Sequence, residues 1–70
     1  MSTEKPIDRR TRRTRKALRL ALQHLLLEKA FEQITIREIA QDADIAYTTF
    51  FRNYADKEGL LSDLVDEEIA

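Results

Sequence analysis

Seventy residues allow one small domain, and a chain this short buries only about 60% of its unfolded surface. No cysteine is present, which excludes a disulfide framework and a thiolate metal site. No apolar run approaches the roughly 20 residues of a membrane span, and the charged N-terminus lacks the hydrophobic segment of a signal peptide. With 43% apolar residues, one Gly, one Pro and no strand-like alternation, the economical reading is a small all-α bundle. A soluble, cytoplasmic protein is the expectation. The net charge of −1 conceals an asymmetry: residues 1–19 hold eight Lys/Arg and two Asp/Glu, a net of +6, and residues 20–70 hold four and eleven, a net of −7. A basic start on an acidic body points to a polyanion for one face only, or to a solvated tail.

Residues 1–8 carry the only proline and no hydrophobic period, so an irregular segment is expected there. From Arg9 to Lys16 the chain is almost wholly Arg, Lys and Thr, which either extends a helix or stays a flexible basic arm; the arm is set at residues 1–12. The first helix is predicted from about Arg13 to Lys29. Leu18, Ala21, Leu22 and Leu25 share one face at the i, i+3, i+4, i+7 spacing, with Leu26 beside them. Leu20 and Leu27 lie off that stripe and either widen the core or mark a surface for another domain. His24 has no second His or Cys as a co-ligand, which favours an exposed helix position over a metal site. No metal and no cofactor are expected.

Phe31 is the expected apolar plug of the connection that follows. Thr35-Ile36-Arg37-Glu38 reads as a capping box, with Ile34 and Ile39 placed as a hydrophobic staple across it. Ile36, Ile39, Ala40 and Ala43 form the inner face of the second helix, and Arg37, Gln41 and Asp42 the outer one. Asp44-Ile45-Ala46 is the turn, because Asp tolerates a left-handed backbone better than most non-glycine residues. The third helix is predicted from Tyr47 to Asn53. Phe50 and Tyr54 face inward with Ile45, and Tyr47, Thr48, Phe51 and Arg52 face outward or to the flanks. Asp56 is the N-cap of a fourth helix, in which Leu60, Leu61, Leu64, Val65 and Ile69 continue the apolar stripe. No Gly, Pro or basic last turn closes that helix, which predicts that the chain is the amino-terminal piece of a longer protein.

Two short helices around a tight turn, the second rich in Tyr, Thr, Phe, Arg and Asn, follow the pattern of a helix-turn-helix DNA reader. Residues from about Arg13 to Leu61 resemble the DNA-binding domain of the tetracycline-repressor (TetR) family of bacterial regulators. The resemblance rests on the Arg-rich start, the aliphatic first helix, Phe31, Thr35, Ile36, Arg37, Ile39-Ala40, Thr49-Phe50-Phe51, Tyr54 and Lys57-Glu58-Gly59-Leu60. Ala30 and Asp44 stand where the family usually has glycine, and Ala55 replaces a common proline. Ala46 stands where Ser often caps the third helix, which weakens that cap by about 1 kcal/mol. Phe51 lacks the hydroxyl of the Tyr that many members place there to reach a phosphate.

The resemblance implies an all-α, three-helix helix-turn-helix domain over residues 13–61, with a connecting helix over residues 56–70. It implies duplex DNA with a palindromic operator as the partner, and a homodimer formed through a C-terminal domain outside this chain. A small-molecule effector would bind in that outside domain. The expected role is a transcriptional regulator, most simply a repressor. Its DNA-contacting positions fall on Thr35, Arg37, Ala46, Tyr47, Thr48, Thr49, Phe51, Asn53 and Lys57. Tyr47 and Thr48 begin the recognition helix, where base contacts lie; the alternative is a Tyr47 ring packed on Ile45 or the arm. Arg37 either reaches a guanine edge or pairs locally with Gln41 or Glu38. Thr35, Thr49 and Lys57 form the phosphate set, two of them at helix N-termini; the alternative for Thr35 is a cap alone, with its amide neighbours facing DNA. Asn53 either donates to a phosphate or ends the third helix. Arg9, Arg10, Arg12, Arg13 and Arg15 would supply backbone or minor-groove contacts. The rival reading is a small helical protein-interaction module that docks through Tyr47, Phe51 and Leu27. An enzyme is a poor fit, since the sequence has no Gly-rich phosphate loop, metal spacing or nucleophile constellation.

Overall fold

The computed structural model describes residues 9–69, and the irregular segment expected at 1–8 lies outside them. The elements in chain order are α1 (Arg9–Leu26), a 3₁₀ turn (Phe31–Gln33), α2 (Ile36–Ala43), α3 (Tyr47–Asn53) and α4 (Lys57–Ile69). No strand occurs among the described residues. α1 begins at Arg9, so residues 9–12 are helical where an arm was expected. Arg and Lys have good intrinsic helix propensity, and Thr14 and Ala17 line a groove with Ala43 and Ile45, which gives the early turns something to lie against. At the other end α1 stops at Leu26. Its last turn tightens through Leu27 N–H to His24 C=O (3.2 Å) and Glu28 N–H to Leu25 C=O (2.9 Å), the i→i+3 pattern that closes many helices.

One core joins all four helices. Leu18, Ala21, Leu22 and Leu25 come from α1, Ile34 from the loop, Ile39 from α2, Phe50 from α3, and Leu60 and Leu64 from α4. Phe31, Ile36, Ala43, Ile45, Tyr54 and Leu61 pack half-buried around it. Two expected core positions turn outward: Leu26 and Val65 are exposed. Each follows a buried leucine by one residue, and a step of about 100° around a helix carries the side chain off the inner face. Phe31 and Tyr54 are likewise half-buried where full burial was expected. The Tyr54 hydroxyl donates to Asp63, which keeps that end of the ring at the edge of the core.

The caps set where the helices begin and end. The Thr35 hydroxyl accepts from Glu38 N–H (3.1 Å), and Glu38 Oε1 accepts from Thr35 N–H (2.9 Å), which completes the capping box. Lys29 ties this cap to the end of α1 by donating to Glu38 Oε2. The Lys29 hydrogen bond foremost, and the Thr35 amide after it, hold the Glu38 carboxyl below its ordinary value. At its C-terminus α2 ends in a left-handed Asp44 (φ 59°, ψ 46°). Ile45 N–H bonds to Ala40 C=O and Asp44 N–H to Gln41 C=O, the paired bonds of a Schellman motif. Asp56 Oδ1 accepts from Gly59 N–H (2.8 Å) and so caps α4. Ala46 precedes α3 with no side-chain cap.

A polar network ties the outer ends together. Asp63 of α4 accepts from both Tyr54 and Arg19. His24, exposed on α1, approaches Asp42 of α2 at 3.1 Å. Burial foremost, then the hydrogen bond and negative charge of Asp63, push the Tyr54 phenol up to about 12. A phenol that holds its proton more tightly when folded stabilises the fold fully below the unfolded value of 10.0, and loses that contribution as pH rises through about 12. A phenolate absorbance titration should therefore show a late-ionising tyrosine with a midpoint near 12, and Tyr54→Phe should remove that phase. Thr35→Ala should lower the stability to urea unfolding by about 1 kcal/mol through loss of the α2 cap.

Candidate nucleic-acid interface

Phe50 is the single buried residue of α3, and its burial fixes the rotation of that helix. Tyr47, Thr48, Phe51 and Arg52 are consequently exposed, with Thr49 and Asn53 at the flanks. Tyr47 is 43% and Phe51 45% exposed. Their rings meet edge to face with centroids 5.3 Å apart and planes at 72°, and Phe51 meets Phe50 in the same manner. Arg37 of α2 lies over the free face of Tyr47, its Cζ 4.9 Å from the ring centroid. Arg37 stacks on Tyr47 rather than pairing with Glu38, which is engaged by Lys29 and Thr35.

Beside Tyr47 runs an open groove lined by Glu32, Ile34, Thr35, Ile36, Arg37, Asp56, Lys57 and Glu58. The N-termini of α2 and α4 both open onto it, and exposed helix amides favour an anion. The groove is not uniformly positive, because three carboxylates share it. The Asp56 carboxylate is engaged by the α4 amide of Gly59.

Lys57 stands at this groove with its ammonium turned into the frame. It donates to the carbonyls of Phe31 and Ile34, both at 2.8 Å, and lies 4.5 Å from the Phe31 ring centroid. Two of its three donors therefore hold α4 against the α1–α2 connection. Asn53 is similarly occupied: its Nδ2 donates to Thr49 C=O (3.1 Å) and its Oδ1 accepts from Arg15 Nε (3.3 Å). Arg15 also stands 5.8 Å from the Tyr54 ring centroid. It thus leaves the basic set expected of the arm and braces the end of α3. Arg9, Arg10 and Arg13 line a second groove with Thr14, Ala17, Ala43 and Ile45, on the opposite side of the turn residue Ala46 from the α3 aromatics in the chain.

Thr35, Arg37, Tyr47 and Lys57 are thus brought to one groove, with Thr48 and Phe51 exposed on the adjoining helix. Ala46 is exposed and uncapped at the head of α3. Arg52 is an exposed cation on the same helix, absent from the expected contacts although its outward register was readable from the burial of Phe50.

The family model of bacterial regulatory proteins, tetR family, matches residues 17–64. Among curated proteins, the chain is 43% identical over 68 residues to the uncharacterized HTH-type transcriptional regulator YxbF of Bacillus subtilis, covering 96% of this chain and 18% of that protein. It is 41% identical over 56 residues to an HTH-type transcriptional regulator of Haemophilus influenzae, covering 79% and 27%. A third relative, YvkB of Bacillus subtilis, is 36% identical over 56 residues, covering 80% and 30%. The chain spans less than a third of the length of these relatives. No solved structure matches it. The family match runs from within α1 into α4 and includes α2, the turn and the whole of α3: the chain belongs to the TetR family of bacterial regulators and carries that family's helix-turn-helix DNA-binding domain.

Proposed function

We propose that the chain is the operator-reading part of a transcriptional repressor, with α3 lying in the major groove of one half-site. The observation that carries this reading is the outward face of α3. A buried Phe50 turns Tyr47, Thr48, Phe51 and Arg52 to solvent, with Tyr47 in the groove that Arg37 and the N-termini of α2 and α4 line. Tyr47 and Thr48 would meet base edges, and Arg37 suits guanine O6/N7. Thr49 and the remaining donor of Lys57 would take phosphates with the helix amides beside Thr35, whose own N–H and hydroxyl donate to Glu38 Oε1, while Arg9, Arg10, Arg12 and Arg13 supply charge from the start of α1. Ala46 brings the chain close to the backbone without a side-chain contact of its own.

Two such readers, joined through a domain outside this chain, would bind a palindromic operator as a homodimer. A small effector in that domain would act by moving α4 and so the spacing of the two recognition helices. The site of action would be the bacterial cytoplasm; among the described residues no helix is long and apolar enough to cross a membrane. Leu20 of α1, Leu27 just past the end of α1 (85% exposed) and Val65 of α4 are exposed and suit contact with the rest of a longer protein. This gives the interaction-module reading a place alongside DNA binding.

A titration of the 70-residue chain with duplex DNA across a salt series tests the proposal. Binding should weaken steeply as salt rises, because cations on the protein release counterions from the phosphates. Binding indifferent to salt, or absent at low salt, would favour the interaction module. Tyr47→Ala and Thr48→Ala should change which sequence is preferred, whereas Arg13→Ala should weaken all sequences alike and lower the salt slope by about 1. Lys57→Ala should weaken binding to every sequence and, unlike Arg13→Ala, also lower urea stability in the absence of DNA by about 2 kcal/mol, since it removes two charge-assisted bonds to the frame.

A further inference from the structure

Phe51 has no polar atom, yet 45% of it remains exposed on the reading helix beside an equally exposed Tyr47. Against a phosphate such a ring has no hydrogen bond to offer. Within the major groove the base edges present donors, acceptors and one apolar feature, the C5 methyl group of thymine. Covering an exposed ring with that methyl removes apolar area from both partners, which a cytosine or a purine edge does not do.

The geometry also makes the two rings a fixed surface. Arg37 occupies one face of Tyr47 at 4.9 Å, and the Phe51 ring meets Tyr47 at 5.3 Å with the planes nearly perpendicular. Phe51 is braced in turn by the fully buried Phe50, 5.3 Å away. Tyr47 and Phe51 are one helical turn apart, about 6 Å along the axis, against about 3.4 Å for each base-pair step. We infer that the Tyr47 and Phe51 rings form an apolar step that reads thymine methyl groups about two base pairs apart. On the Tyr47 side the Arg37 guanidinium closes the step and leaves a charged neighbour where a methyl would gain nothing. The inference rests on the DNA-reading function proposed above and adds the base chemistry that this face selects.

Deoxyuridine differs from thymidine only by that methyl, so the test leaves the protein untouched. Duplexes preferred by the 70-residue chain are first selected from a randomised pool. Each thymine of the selected site is then replaced singly by deoxyuridine, and affinity is measured at fixed low salt. At least one replacement should weaken binding about fourfold, the transfer value of one buried methyl. Phe51→Ala should abolish that sensitivity at one position, and Tyr47→Ala at a position about two base pairs away. Both side chains are exposed, so neither change empties the core. Selected sites without thymine, or deoxyuridine tolerated at every position, or sensitivity unchanged in Phe51→Ala, would overturn the inference while DNA reading stands. A chain that enriches no sequence and binds no duplex at low salt would instead overturn the proposed function, and the inference with it.

Discussion

Phe50 holds α3 on the protein. α3 has seven residues, far below the length at which an isolated helix persists in water, and only this side chain of the seven is buried. It enters a core drawn from every other helix, through Leu18 and Leu22 of α1, Ile39 of α2 and Leu60 of α4. Once Phe50 is inside, the helical period leaves no choice about the rest. Positions 47, 48, 51 and 52 face out, and the cost of two exposed aromatic rings is partly offset by their contacts with each other and with Arg37, each worth about 0.5–1 kcal/mol or somewhat more.

Polar ties hold the frame that presents this helix. Lys57 offers its ammonium to the carbonyls of the first residue of the 3₁₀ turn and of the residue that follows it, so the start of α4 cannot shift without releasing the chain that leads into α2. Arg15 grips the end of α3 through Asn53, and Arg19 joins α1 to α4 through Asp63, which also holds Tyr54. These groups sit at the rim of the core, where a hydrogen-bonded ion pair avoids the full desolvation cost of deep burial. The three basic side chains therefore work inside the domain, although a count of charge alone would assign them to a polyanion.

The helices that begin or end with local chemistry were legible in the sequence. The Thr35–Glu38 box, the left-handed Asp44 and the Asp56 cap are each decided within four residues, and α2, α3 and the start of α4 fall where those signals put them. The outward face of α3 followed from the burial of Phe50. What escaped depended on partners distant in the chain. Arg15 finds Asn53 across 38 residues and Lys57 finds Phe31 across 26, and no window of sequence contains both ends. Leu26 and Val65 escaped for a different reason: hydrophobicity alone cannot tell the last residue of an apolar stripe from the first one beyond it. The stacking of Arg37 on Tyr47 required knowing how α2 and α3 cross.

The start of α1 obeys a constraint of another kind. Its first turn contains no acidic residue, while Arg9, Arg10, Arg12 and Arg13 crowd the end of the helix that already carries the positive pole of its dipole. Each cation placed there opposes the helix by about 0.3–1 kcal/mol at low salt, and the cations also repel one another. The contacts of Thr14 and Ala17 offset part of that cost. A neighbouring polyanion reverses its sign, because the same charges then gain phosphate partners and the dipole gains a compensating field. The remainder of the chain, at −7 over residues 20–70, is repelled by the same partner. Charge therefore acts on orientation before any base is read: a polyanion is attracted by the basic start of α1 and repelled by the acidic body, which favours one direction of approach over the other.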